Sequence, residues 1–341
     1  MKRESAAPAR WRAAVIGCGW IGAGVGDDPR ADGIQAHAAA YAACAATHLV
    51  GVCDADPARA ATVARRFGAT QAYPDAETLL AQARPQIVSI CTPDATHAAI
   101  LAQVLGSPDV RAVIAEKPLA AELAQARALV AQARRRNVPL AVNYTRRFAA
   151  SHAEAQRRLK TGEIGTVVAV SGIYTKGVLH NGTHWFDLAR WLVGDIVRVQ
   201  AWPASGDPTG PDPNCHVRLT FSGGQSGFLV GLDADRYSAF EMDCLGTAGR
   251  VRISDSGMRL SWSTVGDSPY YSGYRTLLPG AEAKGGFHDV GLRLVEDVVA
   301  ALATGASPRC SGEDALAALA VAQAARDSLA RGAECEVERI Q

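Results

Sequence analysis

The sequence predicts a doubly wound α/β domain over residues 11–146, followed over 147–341 by an α+β domain with an open-faced, mainly antiparallel sheet. Three observations carry this. Between Arg12 and Val142, short apolar runs alternate with alanine-rich helical stretches, the pattern of a parallel sheet covered on both faces. Beyond Arg147, strand-like runs follow one another with short Gly, Ser, Asp and Pro connections, as in an antiparallel meander. The first apolar run leads directly into the glycine-spaced "GCGWIG".

In order, the strand runs of the first half are 13–17, 48–54, 86–92, 111–117 and 139–144. The stretches "DPARAATVARRFG" and "AAELAQARALVAQARRRN" lie between them and read as helices. A helix is expected over about 148–161, then the strand "TVVAVSGIYT", then a helix at 184–193. The runs "IVRVQAW", "HVRLTF", "GQSGFLVGLD", "SAFEMDCLG" and "GRVRIS" supply the second sheet, and a helix pair over 287–304 and 312–331 closes the chain. The Pro/Gly-rich stretch 203–214 reads as an exposed loop.

Composition bounds the function. The formal net charge is +1, so no field favours nucleic acid or an anionic membrane. No run is long and apolar enough to cross a bilayer. Lys2, Arg3, Arg10 and Arg12 precede an apolar stretch, but glycines punctuate it, and Asp27 and Asp28 follow instead of a small-residue cleavage site. The eight cysteines are scattered singly, which fits a reducing cytoplasm better than a disulfide framework. Of 35 basic residues only five are lysines: Lys2, Lys117, Lys160, Lys176 and Lys284. Each is worth inspecting, since an ammonium can trade protons where a guanidinium cannot.

"GCGWIG" places Gly17, Gly19 and Gly22 around Trp20 and Ile21, after a strand and at the expected opening of a helix. Gly17 permits the tight turn, Gly19 lets the backbone approach a pyrophosphate, and Gly22 allows close packing of helix on strand. The second strand ends at Asp54, where a carboxylate accepts from adenosine ribose hydroxyls and repels a 2′-phosphate. NAD is therefore expected over NADP, with Arg59 the residue that could argue otherwise; Asp54 could equally cap the next helix. Thr92 and Pro93 leave the third strand run at the carboxyl edge of the sheet, where ligands of open α/β sheets bind. His97 follows, with a cofactor role and a packing role both open. Glu116 and Lys117 emerge from the buried run 113–115 at the same edge.

"VIGCGWIG", "CTPDATH", "AEKPLA", "NYTRRF", the His-x-x-Asp of "NGTHWFD" and "CLGTAGRVRI" together resemble the Gfo/Idh/MocA family, the glucose–fructose oxidoreductase and inositol dehydrogenase relatives. The resemblance runs from about Arg12 to about Val337. It implies a Rossmann domain with a tightly held nicotinamide cofactor and redox chemistry on sugars, inositols or related alcohols. It also implies that Lys117 lies near the reacting hydroxyl and that His184 is its acid–base partner. Many members carry an aspartate four residues before that histidine, where this chain has His180. Either His180 shares the proton work, or Asp187, one helical turn beyond His184, supplies an orienting carboxylate.

"YTKGVLHNGTH" also resembles the branch associated with nucleotide-sugar and sialic-acid-type sugar pathways. On that resemblance Lys176, Asn181 and Thr183 face a sugar, and Arg146 or Arg147 meets a charged group; an ion pair is the competing role for either arginine. A metal site at His180 and His184 is not expected, since Gly182 breaks a regular helix between them and no HExxH glutamate is present. The expected function is a hydride transfer between nicotinamide and a secondary alcohol or ketone of a sugar, nucleotide sugar or cyclitol. NAD-dependent glycoside hydrolysis and a non-catalytic nucleotide-binding regulator remain alternatives. The apolar face of the second sheet suggests a homodimer or homotetramer.

Overall fold

The computed structural model describes residues 10–31, 33–204, 210–284 and 286–340. Lys2, Arg3 and positions 205–209 of the Pro/Gly-rich stretch lie outside the described residues. The chain divides into two compact units, one running to Thr145 and resuming over His288–Gly312, the other comprising Arg146–Phe287 and Glu313–Gln341.

In the first unit, β1 (Trp11–Ile16), β2 (Thr47–Cys53), β3 (Gln71–Tyr73), β4 (Ile87–Ile90), β5 (Ala112–Ala115) and β6 (Leu140–Val142) form a six-stranded sheet in the order β3-β2-β1-β4-β5-β6. Every pairing is parallel. The strand order reverses between β1 and β4, so the crevice of this doubly wound sheet opens at their carboxyl ends. Its helices are α1 (His37–Ala43), α2 (Pro57–Phe67), α3 (Ala76–Ala83), α4 (His97–Gly106) and α5 (Leu123–Arg135). α2 shows why these boundaries fall where they do. Asp56 accepts from the Ala58 and Arg59 amides, Pro57 occupies the first turn, and Gly68 ends the helix in a left-handed conformation at φ 69°.

The second unit begins with α6 (Ala150–Lys160), β7 (Val167–Thr175) and α7 (Thr183–Leu192). The strands β8 (Ile196–Pro203), β9 (Cys215–Phe221), β10 (Ser226–Leu232), β11 (Phe240–Gly246), β12 (Gly249–Ser254), β13 (Arg259–Asp267) and β14 (Arg275–Lys284) follow. Together with β15 (Cys335–Glu336) they make a nine-stranded sheet in the order β14-β13-β12-β11-β7-β10-β9-β8-β15. Only β7 and β10 pair in parallel. The core lies on one face, where Trp185, Phe186 and Leu188 of α7 meet Val217, Leu219 and Met242 of the sheet. Gly172 is required there, because a Cβ would collide with the Trp185 ring and the Glu241 carbonyl. The Trp185 indole donates to that carbonyl at 3.0 Å.

Three sequence expectations change. The closing helices α8 (Val290–Thr304) and α9 (Gly312–Arg331) do not both belong to the second unit: α8 returns to the first and packs on α1. Its approach is fixed by Asp289, whose carboxylate accepts from the Ile34 amide at 2.7 Å, and by the Gly291 amide on the Ile34 carbonyl at 3.0 Å. The glycine loop does not open an α-helix. Trp20–Gly24 winds as a π-type turn, with Ala23 and Gly24 both donating to the Gly19 carbonyl, and α1 starts only at His37. Finally, β13 and β14 form a long hairpin that the meander reading does not contain.

Candidate active site

The nucleotide side of the first unit is built on backbone geometry. Gly17 has φ +95°, and a Cβ there would lie 2.6 Å from the Cys91 carbonyl; one at Gly22 would collide with the Gly17 carbonyl oxygen. A Cβ at Gly19 meets nothing within 4 Å, so this face of the loop is open to a ligand. Gly19, Trp20, Ala23, Arg59 and Arg66 line a cavity of about 610 Å³. Burial, with the Asp54 charge beside it, pushes the Cys18 thiol up to about 12. That thiol therefore acts as a small packing group and not as a nucleophile.

Asp54 directly follows β2, with its side chain 9% exposed. Its Oδ2 accepts from the Cys18 amide at 2.7 Å, and its Oδ1 accepts from the Asp56 amide at 2.9 Å and from Arg59 at 3.3 Å. The carboxylate is thus anchored against the glycine loop, and helix capping falls to Asp56. Three acceptor positions of about four are filled, which leaves room for a ribose hydroxyl. The partner Arg59 is half exposed, so this ion pair is weak.

Thr92 and Pro93 follow β4, and Thr96 donates to the Thr92 hydroxyl at 2.9 Å. His97 is 2% exposed. Its Nδ1 lies 2.7 Å from the Pro118 carbonyl and its Nε2 2.7 Å from the Thr92 carbonyl. Both ring nitrogens lie against backbone carbonyls, so this histidine ties the Thr92 loop to the Lys117–Pro118 loop. The Lys117–Pro118 bond is cis. Lys117 is buried to 9% exposure and Glu116 to 8%. Asn143 donates to Glu116 Oε1 at 2.6 Å, and His37 Nε2 lies 3.0 Å from the same oxygen.

In the second unit, Gly177–Gly182 forms a π-type turn that runs straight into α7. His184 stands in the first turn of α7 and is 9% exposed, while His180 is exposed on the preceding turn. Asp212 pins this turn: its Oδ1 accepts from the Leu179 amide at 2.6 Å and its Oδ2 from the His180 amide at 2.9 Å. Asn214 accepts from the Gly177 amide at 2.9 Å. Burial pushes the Asp212 carboxyl up, while those two amides pull it down. The described part of the stretch 203–214 is therefore a brace for the histidine turn, not only an exposed loop.

Other candidates change role. Thr183 is fully buried and donates to the Leu179 carbonyl at 2.7 Å, so it closes the turn and does not face a sugar. Arg147 is 4% exposed and grips Asp187 with two hydrogen bonds of 2.9 and 2.7 Å; a third, of 3.0 Å, reaches Asp314. The ion-pair role holds for Arg147, with Asp187 as its buried partner. Arg146 stacks its guanidinium 3.4 Å above the Phe240 ring, with burial disfavouring its charge. Lys176 is exposed and Asn181 half-buried. His37, Asn143 and Asp212 have no motif to announce them in the sequence; only their long-range partners reveal them.

A glycine-rich strand–turn unit with an acidic residue just after the next strand defines a dinucleotide-binding fold. Residues 11–144 match the oxidoreductase family described by its NAD-binding Rossmann fold, and residues 152–252 match the GFO/IDH/MocA C-terminal domain. The chain belongs to the Gfo/Idh/MocA family. It is 28% identical over 315 residues to an inositol 2-dehydrogenase of Rubrobacter xylanophilus, spanning 86% of each chain. It is 29% identical over 209 residues to a D-apiose dehydrogenase of Paraburkholderia graminis, covering 56% of this chain and 52% of that one. Levoglucosan dehydrogenase in complex with NADH superposes with a TM-score of 0.81 at 21% identity, covering 97% of this chain and all of that one; at that identity the likeness concerns the fold. Among the described residues no helix is long and apolar enough to cross a membrane.

Proposed function

We propose that the protein is an NAD-dependent dehydrogenase that oxidises a secondary alcohol of a sugar, nucleotide sugar or cyclitol, or reduces the matching ketone. The observation that carries this is the buried Glu116–Lys117 pair at the carboxyl end of β5 in a family of NAD-binding oxidoreductases. The similarity to proteins named D-apiose dehydrogenase and inositol 2-dehydrogenase supports a sugar or cyclitol substrate. The open face at Gly19 and the anchored carboxylate of Asp54 fit a dinucleotide. The nicotinamide ring, when bound, supplies the hydride acceptor. His184 takes the hydroxyl proton on its imidazole, and the Lys117 ammonium stabilises the developing alkoxide oxygen. A panel of inositols, free sugars and nucleotide sugars scored by NADH fluorescence tests this. Glycan cleavage with no net NADH would favour the hydrolase reading, and nucleotide binding without turnover on any substrate the regulator.

NAD should bind at least about tenfold more tightly than NADP, a difference of about 1.4 kcal/mol, because the Asp54 carboxylate repels a 2′-phosphate. Titration of the two nucleotides by protein fluorescence checks this; equal affinities would shift the specificity to Arg59. The eight cysteines are free and buried, which supports a reducing, cytoplasmic setting.

A homodimer or homotetramer is the assembly we infer. Val168, Phe228 and Val230 stand 52%, 53% and 37% exposed on β7 and β10. The ion pairs Arg250–Asp243 and Arg252–Glu241 lie on the neighbouring strands β11 and β12. An apolar patch rimmed by charge is the composition of an interface. Light scattering at micromolar concentration should give a multiple of the 35.7 kDa chain mass; Phe228→Glu should lower it.

A further inference from the structure

A helix lying on a parallel sheet ordinarily presents apolar residues to it. α1 departs from this. His37 and Tyr41, one turn apart on its buried face, are 1% and 0% exposed, and both point at Ser89 of β4, which is itself fully buried. The Ser89 hydroxyl lies 2.8 Å from the Tyr41 hydroxyl and 2.9 Å from His37 Nδ1. Across the ring, His37 Nε2 faces Glu116 Oε1 at 3.0 Å, and the Asn143 amide donates to that same oxygen at 2.6 Å. The chain of contacts crosses the adjacent strands β4, β5 and β6 near their carboxyl ends.

One assignment of protons satisfies every member with a neutral ring and an ionised carboxylate. Tyr41 donates to Ser89, Ser89 donates to His37 Nδ1, and His37 Nε2–H donates to Glu116 Oε1. Both side-chain donors then fall on Oε1, and none of the hydrogen bonds between described side chains reaches Oε2. The Glu116 side chain keeps 11% exposure. In that arrangement its second oxygen is a held acceptor at the edge where ligands of such sheets bind, and the next residue in the chain is Lys117.

We propose that His37 is a positioning residue for turnover. Backed by Ser89 and Tyr41, it fixes the orientation and charge of Glu116 and, through Glu116, the placement of Lys117. This rests on the dehydrogenase reading above. Exposed residues could not do this work as well, because only a buried, fully satisfied chain has a single arrangement.

Two measurements test it. In the nucleotide-free protein, imidazole ¹⁵N spectra should show His37 as the neutral tautomer protonated at Nε2. A proton at Nδ1 with Nε2 bare would overturn the proposal whatever the activity. In turnover, His37→Leu should lower kcat by about tenfold to a hundredfold, since a misplacement of about 1 Å costs on the order of 10², with KM for the substrate little changed. His37→Gln keeps an N–H for Glu116 and should restore most of the rate. Should His37→Leu fail to fold, Ser89→Ala, which removes the donor to Nδ1, should show the same kcat-selective loss on a smaller scale. A wild-type kcat in His37→Leu, or a loss that follows the folded fraction and that Gln does not rescue, refutes the positioning role. A wild-type protein inactive on the whole panel removes the dehydrogenase reading and the turnover role with it, and the tautomer alone then decides whether Glu116 is held as described.

Discussion

His184→Ala is expected to lower kcat by about 10²–10⁴, the usual worth of a positioned general acid–base group, while NAD affinity stays near that of the wild type. The split is expected because the glycine loop and Asp54 belong to the first unit and His184 to the second. Lys117→Ala should cost about 10²–10³, again with nucleotide binding intact, since its part is to stabilise charge on oxygen. The two variants differ in pH behaviour: losing His184 should alter the pH–rate profile, whereas losing Lys117 should mainly scale it. His180→Asp separates what remains open. Asp187 is already paired with Arg147, and His180 stands exposed on the turn that precedes His184. If His180 serves only as a hydrogen-bonding group, the aspartate variant should keep most of its activity. If it is the base, activity should fall as far as in His184→Ala. A fully active His184→Ala enzyme would sink the assignment and leave the histidine as the first residue of a packed helix.

The sequence makes the first sheet legible because its strands are buried on both faces. The runs at 13–17, 48–54, 86–92, 111–117 and 139–144 fall on β1, β2, β4, β5 and β6 with small shifts at the ends. β3 is three residues of intermediate polarity, Gln71–Tyr73, and carries no run to detect. β13 is rich in Ser, Thr and Gly and bulges between Ser261 and Ser263, and β14 contains Pro279, so alternation fails there. The glycine loop is readable since Gly17 and Gly22 answer local backbone demands and Gly19 leaves an open face. Where its helix begins is not, because that depends on the π-type turn at the Gly19 carbonyl. The polar partners of the site are the least legible part. Arg147 meets Asp187 and Asp314 at separations of 40 and 167 residues, and His37 meets Glu116 at 79. Nothing in local spacing distinguishes an arginine that will meet a substrate from one that will be buried against a carboxylate.

Arg147→Met is expected to destabilise the second unit by about 3–5 kcal/mol, the range found when one member of a buried ion pair is removed. Asp187, 1% exposed, would be left as a buried carboxylate without its ion-pair partner, whereas Asp314, at 30%, can turn to water. Burial already pushes the Asp187 carboxyl upward even with Arg147 pulling it down, and without the arginine the rise must grow. The pH dependence follows. A carboxyl whose folded pKa lies above its unfolded value favours folding in its protonated form, so stability is full below the unfolded pKa and declines as pH rises through the folded one. The loss in Arg147→Met should therefore be largest near neutrality and shrink as the pH falls toward 4. Arg147→Met combined with Asp187→Leu removes the stranded charge as well and should recover most of the stability, since apolar replacement of a whole buried pair is often neutral. Urea denaturation of the wild type and both variants at two pH values measures this. A single variant within about 1 kcal/mol of wild type at neutral pH would show the pair to be no more than a surface-strength contact, and a double variant less stable than the single would mean that the shape of the ion pair, not its charge balance, holds α7 in place.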